Sequence, residues 1–88
     1  MTNEQLETLI DTLGKVLFGF LEEGNGPTIS ALLTGIEKQI KDPAILADKY
    51  WKLQVSKFIE HLIQTGTIKR VGKGAKRFYI PGDKYNTK

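Results

Sequence analysis

Cysteine is absent from this chain of 88 residues. Neither disulfides nor thiolate metal ligation can therefore stabilise the fold, and no thiol nucleophile is present. No apolar run approaches the roughly 18 residues that a membrane span needs, and the N-terminus lacks the basic and apolar regions of a secretory signal. We expect a cytoplasmic protein without membrane association, whose stability comes from helix packing.

Chemically reactive side chains are also scarce. His61 is the only histidine, and neither a second histidine nor a cysteine is present to complete a zinc site with it. No serine lies at an informative spacing for a nucleophilic triad. The carboxylates of the first 23 residues lie on or beside the polar face of a predicted helix, where solvation is their simplest role. We expect no enzyme activity, no metal and no cofactor.

The composition is typical of one small folded domain. Hydrophobic residues make up 40% and charged residues 26% of the chain, which is an ordinary globular balance. The length allows one core and no second domain. The net charge of +3 is unevenly distributed, since residues 1–23 carry five acids and one base, whereas residues 69–88 carry seven bases and one acid. This polarity indicates an anionic partner for the C-terminal end.

Hydrophobic spacing predicts three helices in the first 65 residues. The clearest covers residues 3–23, since Thr2 and Gln5 have capping-box spacing and Gly24 supplies the stop just past the last apolar position. A second helix is predicted over residues 28–40, where apolar side chains continue at steps of three and four.

The third predicted helix covers residues 43–65. It begins with Asp42 as a good N-cap and Pro43 in the first helical position, where the missing N–H is not needed. Its apolar side chains fall on two nearly opposite sides. Either its N-terminal half is buried on both sides, or the helix breaks near Leu53. Trp51 is assigned to the side that faces the core.

A β-hairpin is predicted over residues 67–80, where β-type residues flank a glycine-containing turn. If Val71 pairs with Arg77, Lys69 faces Tyr79 on the outer side. The residues that this register places on the core face are Ile68, Phe78 and Ile80.

Three helices followed by a basic hairpin is the element order of the winged helix-turn-helix DNA-binding family. The stretch FIEHLIQTGTIKRV from Phe58 to Val71 resembles the end of a recognition helix that turns through glycine into the first strand of the wing. The similarity covers roughly residues 28–81. It implies an α+β, mainly α fold in one winged-helix domain over residues 1–82, with a flexible tail over residues 83–88.

The resemblance also implies a function, that of a small transcriptional regulator that binds double-stranded DNA as a symmetric dimer. In this family the helix before the wing usually enters the major groove, and wing residues touch phosphate or the minor groove. The contacts implied on the reading helix are Lys49, Lys52, Ser56 and Lys57. The contacts implied on the wing are Lys69, Lys73, Lys76, Arg77 and Tyr79.

Two of these wing features have alternative interpretations. The cationic tip between Gly72 and Phe78 either follows a phosphate backbone and releases counterions, or simply keeps the exposed strand edge soluble. Tyr79 either packs against the core or stacks on a base, and stacking leads to a further hypothesis of single-stranded nucleic acid as the ligand.

Four large apolar side chains fall outside the main helical stripes: Phe18, Leu46, Tyr50 and Leu53. Exposed together, they favour a homodimer or protein-partner interface. Alternatively, the first helix packs across the start of the third and buries them within one chain. The interface interpretation leads to an alternative function, a winged-helix protein–protein interaction module, such as a complex subunit or a phage-type inhibitor, that uses Leu46, Tyr50 and Leu53.

Overall fold

Four helices precede an antiparallel hairpin in the computed structural model, which describes residues 1–24, 26–74 and 77–85. The helices are α1 (Asn3–Glu22), α2 (Ile29–Gln39), α3 (Pro43–Ala47) and α4 (Trp51–Gln64), and the strands are β1 (Ile68–Val71) and β2 (Phe78–Pro81). The predicted α+β, mainly α architecture with a C-terminal hairpin is confirmed. In the described residues no helix is both long and apolar enough to cross a membrane.

The first helix begins and ends as its sequence predicts. The Gln5 N–H donates to the Thr2 hydroxyl at 3.1 Å, and the Thr2 N–H donates to the Gln5 side-chain oxygen at 2.9 Å. Gly24 follows the helix with a φ of 79°, which a glycine adopts without steric cost. One stripe of α1 is buried, formed by Leu9, Leu13, Val16, Leu17 and Leu21. Both α2 and α4 pack on α1.

The third predicted helix is divided in two, which corrects the uninterrupted helix expected over residues 43–65. In the turn between α3 and α4, the Asp48 carboxylate accepts a hydrogen bond from the Tyr50 N–H at 2.8 Å. Such a local side-chain bond gives the backbone an alternative to helix. The change of direction lets Ile45 and Trp51 both enter the core, and it accounts for the two apolar sides of this segment.

The core lies between α1, α2, α4 and the hairpin. Its most deeply buried side chains are Leu9, Leu13, Leu17, Leu32, Ile36, Ile45, Val55, Ile59 and Ile68. Trp51 is buried as predicted. No polar or charged residue is buried among those that the structure describes, so removal of apolar surface from water is the main source of stability.

The two strands pair one residue out of the predicted register. Val71 pairs with Phe78 rather than with Arg77. The core face is corrected accordingly, because Ile68 and Tyr79 are buried, whereas Phe78 is 37% exposed.

Backbone hydrogen bonds outside the strand pairing support this register. The Tyr79 N–H donates to the Pro27 carbonyl at 2.9 Å, and the Gly82 N–H donates to the Thr67 carbonyl at 2.9 Å. The first bond joins β2 to the segment before α2, and the second extends the pairing past the strand ends. Because a slip of one residue turns every side chain to the other face, Ile80 leaves the predicted core face and is only half-buried.

Gly82 lies at a close backbone approach that gives a first prediction. A Cβ added there would lie 2.2 Å from the carbonyl oxygen of Gly66. We expect Gly82→Ala to lower the free energy of unfolding by about 1–3 kcal/mol, the usual cost of overpacking, as measured by urea denaturation. In the control Gly19→Ala, the added Cβ meets no atom within 4 Å, and helix propensity should raise stability by about 1 kcal/mol. Equal stability of the two variants would contradict this packing.

The turn at Asp48 gives a second prediction. The pKa of Asp48 lies below its ordinary value of 3.8, first because the Tyr50 N–H donates to the carboxylate and then because the Met1 amino group lies close to it. A carboxylate whose pKa is lower in the folded than in the unfolded state stabilises the fold at pH values above its unfolded pKa. This contribution is lost as the pH falls through the pKa of the folded state. Asp48→Asn should therefore melt below the wild type at neutral pH.

The melting gap between Asp48→Asn and the wild type should close as the pH falls below about 4, as followed by circular dichroism. Asp11→Asn, on the exposed face of α1, is the control for loss of a carboxylate elsewhere. A gap that persisted unchanged in strong acid would show that the charge of Asp48 does not stabilise the turn.

Candidate nucleic-acid interface

A surface cleft of about 470 Å³ lies between the N-terminus of α2, one flank of α4 and the hairpin. Its polar and charged lining consists of Thr28, Ser30, Ser56, Glu60, Arg70 and Arg77. Ile59 and Tyr79 contribute apolar surface at its base. The cleft therefore combines hydroxyl groups with two guanidinium groups.

The α2 end of the cleft begins at Thr28. The Thr28 hydroxyl accepts a hydrogen bond from the Ala31 N–H at 3.2 Å, which caps one of the first-turn donors. Ser30 lies in the same turn and is exposed. Because the backbone dipoles place partial positive charge at this end of the helix, negative groups are favoured near it.

Arg70 is held in the cleft by two neighbours. Its guanidinium group forms an ion pair with the Glu60 carboxylate, and its Cζ lies 5.8 Å from the centroid of the Tyr79 ring. Glu60 and then Tyr79 raise the pKa of Arg70 above its ordinary value. Exposed ion pairs contribute little to stability, so the effect of these contacts is mainly to position the Arg70 cation.

The second guanidinium group of the cleft belongs to Arg77. Its Nε donates to the Gly74 carbonyl at 3.1 Å, which orients a side chain that is otherwise exposed. Lys73 is also exposed in the turn beside it. Lys76, another predicted contact, lies outside the described residues. Arg77 thus brings a second positive charge to the cleft, and Lys73 adds an exposed one in the adjoining turn.

The structure divides the predicted contacts on and before α4 between two flanks. Ser56 lines the cleft, and Lys52, one turn earlier, is exposed on the same side of the helix. Lys57 is exposed but is turned about 100° away from Ser56. Lys49 precedes the helix, with its ammonium nitrogen 5.1 Å from the centroid of the Tyr50 ring. Only Lys52 and Ser56 lie on the side of the cleft.

Two predicted contacts on the hairpin do not present a free group to the cleft. Lys69 lies on the outer face of β1, where its ammonium nitrogen is 3.2 Å from an Asp83 carboxylate oxygen. The ring of Tyr79 is packed in the core and is 6% exposed, so it offers no face on which a base can stack. The one-residue change in strand register accounts for the position of Tyr79.

Four residues of the cleft were not among the predicted contacts: Thr28, Ser30, Glu60 and Arg70. Two sequence signals could have placed residues in the site. Arg70 shares a strand face with Ile68, and Glu60 lies one helical turn after the predicted contact Ser56. The ion pair between Glu60 and Arg70 joins positions ten residues apart, however. It forms only because the hairpin folds back over α4.

A second surface is formed by exposed apolar residues at the N-terminal end of α4, where Leu53 lies one helical turn before the cleft residue Ser56. Tyr50 is 54% exposed and Leu53 is 48% exposed. They line a shallow groove of about 190 Å³ together with Met1, Leu6, Asp48 and Gln54, and the Met1 ammonium group lies 3.2 Å from the Asp48 carboxylate there. We refer to Met1, Leu6, Tyr50 and Leu53 as the apolar patch.

The other two predicted interface residues lie outside the apolar patch. Leu46 is half-buried against the core. Phe18 lies in the C-terminal half of α1 and is also half-buried, with its ring centroid 5.5 Å from that of Tyr85. The four residues that the sequence grouped together therefore do not form one surface.

Within the described residues, no group of three histidine, cysteine, aspartate or glutamate side chains is arranged to hold a metal ion. Comparison of the chain with protein-family models, curated proteins and solved structures gives no match. The geometry and charge of the cleft and the apolar patch are therefore the basis for assigning a function.

Proposed function

We propose that this protein is a winged-helix protein that binds double-stranded DNA and acts as a small transcriptional regulator. The observation that carries the proposal is the placement of Arg70 and Arg77 in one cleft with Ser56 and Glu60 of α4, with Lys73 exposed in the turn of the hairpin. In this arrangement α4 is the reading helix and the hairpin is the wing.

The cations of the cleft suit a phosphate backbone. A guanidinium group matches the oxygens of a phosphate with two parallel hydrogen bonds, and Arg70 and Arg77 both line the cleft. Each phosphate that a cation neutralises releases condensed counterions, which is a favourable and salt-sensitive contribution to binding. The exposed acids of α1, which would repel phosphate, do not line the cleft: Glu4, Glu7 and Asp11.

The division of the third predicted helix also supports a reading role for α4. An uninterrupted helix over residues 43–65 is long for a recognition helix. The observed α4 has 14 residues, which corresponds to a length of about 21 Å. Lys52 and Ser56 are exposed on its cleft side, and such polar side chains can contact base edges or phosphates.

Salt dependence tests the proposed backbone contact. We expect binding to a mixed duplex to weaken steeply with salt, and replacement of Arg70, Lys73 and Arg77 by alanine to reduce the slope of log K against log salt by about two to three. Fluorescence anisotropy across a series of salt concentrations measures this slope.

The matched control replaces Lys15, Lys38 and Lys41, which are exposed on α1 and around the end of α2, by alanine. It removes the same charge and should leave the slope nearly unchanged. Equal losses in the two triple variants would mean that charge alone, and not the cleft, governs binding. No binding to duplex even at low salt would refute the DNA-binding proposal, and preference for a single-stranded competitor would redirect it.

Glu60 offers a test of opposite sign. Its carboxylate lies in the cleft and pairs with Arg70, so it repels phosphate and competes for the guanidinium group. Glu60→Gln should tighten duplex binding by about two- to fivefold, which corresponds to the usual strength of an exposed ion pair, in the same anisotropy assay. Glu37→Gln, which removes an exposed acid of α2, is the control. Weaker binding by Glu60→Gln would indicate that the carboxylate itself contacts the ligand.

A second candidate function is a protein–protein interaction module. The exposure of Tyr50 and Leu53 on adjoining positions of one flank favours it. The two functions use different surfaces, since the cleft and the apolar patch share no lining residue. Loss of duplex binding in the cleft variants, with no change on substitution of Leu53, supports DNA binding over this alternative.

A further inference from the structure

A pocket of about 320 Å³ lies where the end of α1 meets the segment that follows the hairpin. It shares no lining residue with the cleft or with the apolar patch. Sites for small molecules usually have volumes of about 300–1,000 Å³, so a ligand that fits this one is small. We refer to it as the C-terminal pocket, and it is lined by Phe18, Glu22, Thr67, Lys84 and Tyr85.

Backbone hydrogen bonds hold one wall of the C-terminal pocket in place. The Lys84 N–H donates to the Gly66 carbonyl at 3.0 Å, and the Tyr85 N–H donates to the Gly82 carbonyl at 3.1 Å. The aliphatic part of Lys84 lies beside Gly66, since a Cβ added to Gly66 would be 3.5 Å from the Lys84 Cγ. The wall is therefore formed before a ligand arrives, which lowers the entropic cost of binding.

Two aromatic rings supply the apolar surface of the C-terminal pocket. The ring centroids of Phe18 and Tyr85 are 5.5 Å apart, and the ring planes are inclined by 48°. Both side chains are half-buried against the core. Burial, and then the nearby charge of Glu22, raise the pKa of Tyr85 above its ordinary value of 10.0. The aromatic wall thus stays uncharged at neutral pH, and an apolar group can pack on it.

Opposite charges border the C-terminal pocket without neutralising each other. Glu22 and Lys84 are both exposed. Among the residues that the structure describes, neither forms an ion pair or a side-chain hydrogen bond. The Glu22 carboxylate can accept hydrogen bonds from a ligand ammonium group, and the Lys84 ammonium group can donate to a ligand carboxylate. A ligand that carries one charge of each sign uses both.

We infer that the C-terminal pocket binds a small zwitterion with an aromatic body, of which an aromatic amino acid is the simplest example. The ring of the ligand packs on Phe18 and Tyr85. Its ammonium group pairs with Glu22, and its carboxylate pairs with Lys84. Such a ligand matches the three kinds of group that line the pocket.

The zwitterion site does not rest on the proposed DNA binding. The C-terminal pocket and the cleft use different residues. Binding of the small molecule is also measured without nucleic acid, so its failure is distinguishable from failure of duplex binding.

NMR titration of the isotope-labelled protein with free phenylalanine tests the site. We expect saturable shifts of the Thr67, Lys84 and Tyr85 amides, with a dissociation constant of about 1 mM or below. Phenethylamine lacks the carboxylate of phenylalanine, and hydrocinnamate lacks the ammonium group. Each should bind about two- to fivefold more weakly than phenylalanine, because each loses one exposed charge contact.

Two charge variants assign the ends of the ligand. Glu22→Gln should weaken binding of phenylalanine and phenethylamine but not of hydrocinnamate. Lys84→Met, which keeps the aliphatic chain beside Gly66, should weaken binding of phenylalanine and hydrocinnamate but not of phenethylamine. The matched controls are Glu4→Gln and Lys41→Met, at exposed positions outside the pocket, and they should change none of the three affinities. Circular dichroism verifies that each variant keeps its fold.

Three results would overturn the inference. The first is the absence of saturable shifts with phenylalanine up to about 10 mM, which is ten times the expected dissociation constant. The second is equal affinity for the three ligands, which would show that the charges bordering the pocket do not select a zwitterion. The third is phenylalanine binding that neither Glu22→Gln nor Lys84→Met weakens, which would place the ligand elsewhere on the protein.

Discussion

The apolar stripe along α1 determines which side of the other helices faces inward. Its buried leucines and Val16 leave water because α2 and α4 pack on them. In a chain without cysteine, this packing has no disulfide to reinforce it. The same packing turns the acidic face of α1 outward. It also leaves one flank of α4 free to meet the hairpin, and the candidate site forms there.

Two hydrogen bonds, one local and one between distant parts of the chain, then place the groups that matter for function. The hydrogen bond from the Tyr50 N–H to Asp48 ends α3 and starts α4 in a new direction, so Trp51 enters the core while Tyr50 and Leu53 remain exposed. The bond from the Tyr79 N–H to the Pro27 carbonyl holds β2 beside the start of α2. Together they form the apolar patch at the N-terminal end of α4 and the cationic cleft beside Ser56 and Glu60.

This arrangement gives α4 two separate surfaces with different physical chemistry. On the cleft side, guanidinium groups and hydroxyl groups suit an anionic ligand, and their contribution depends on salt. On the patch side, the main contribution is apolar burial, which salt does not screen.

Local patterns in the sequence were sufficient for the caps and core stripe of α1, for the existence of α2 and the hairpin, and for the clustering of positive charge after residue 69. These features depend on interactions between residues a few positions apart. A break in the third predicted helix was one of two alternatives, and it was expected near Leu53 rather than at residues 48–50. The sequence alone does not show whether the backbone continues as helix there or forms the Asp48 hydrogen bond. The burial of both Ile45 and Trp51 in the core decides this.

Tertiary structure alone decided the strand register, and with it the burial of Tyr79 and the position of Arg70 in the cleft. The observed register buries Ile68 and Tyr79 in the core and joins the Tyr79 N–H to the Pro27 carbonyl, which are contacts between distant parts of the chain. The same holds for the separation of Phe18 from the apolar patch. Composition and spacing thus determined that the chain is cationic near its end and has no cysteine, whereas long-range packing determined which cations share a surface.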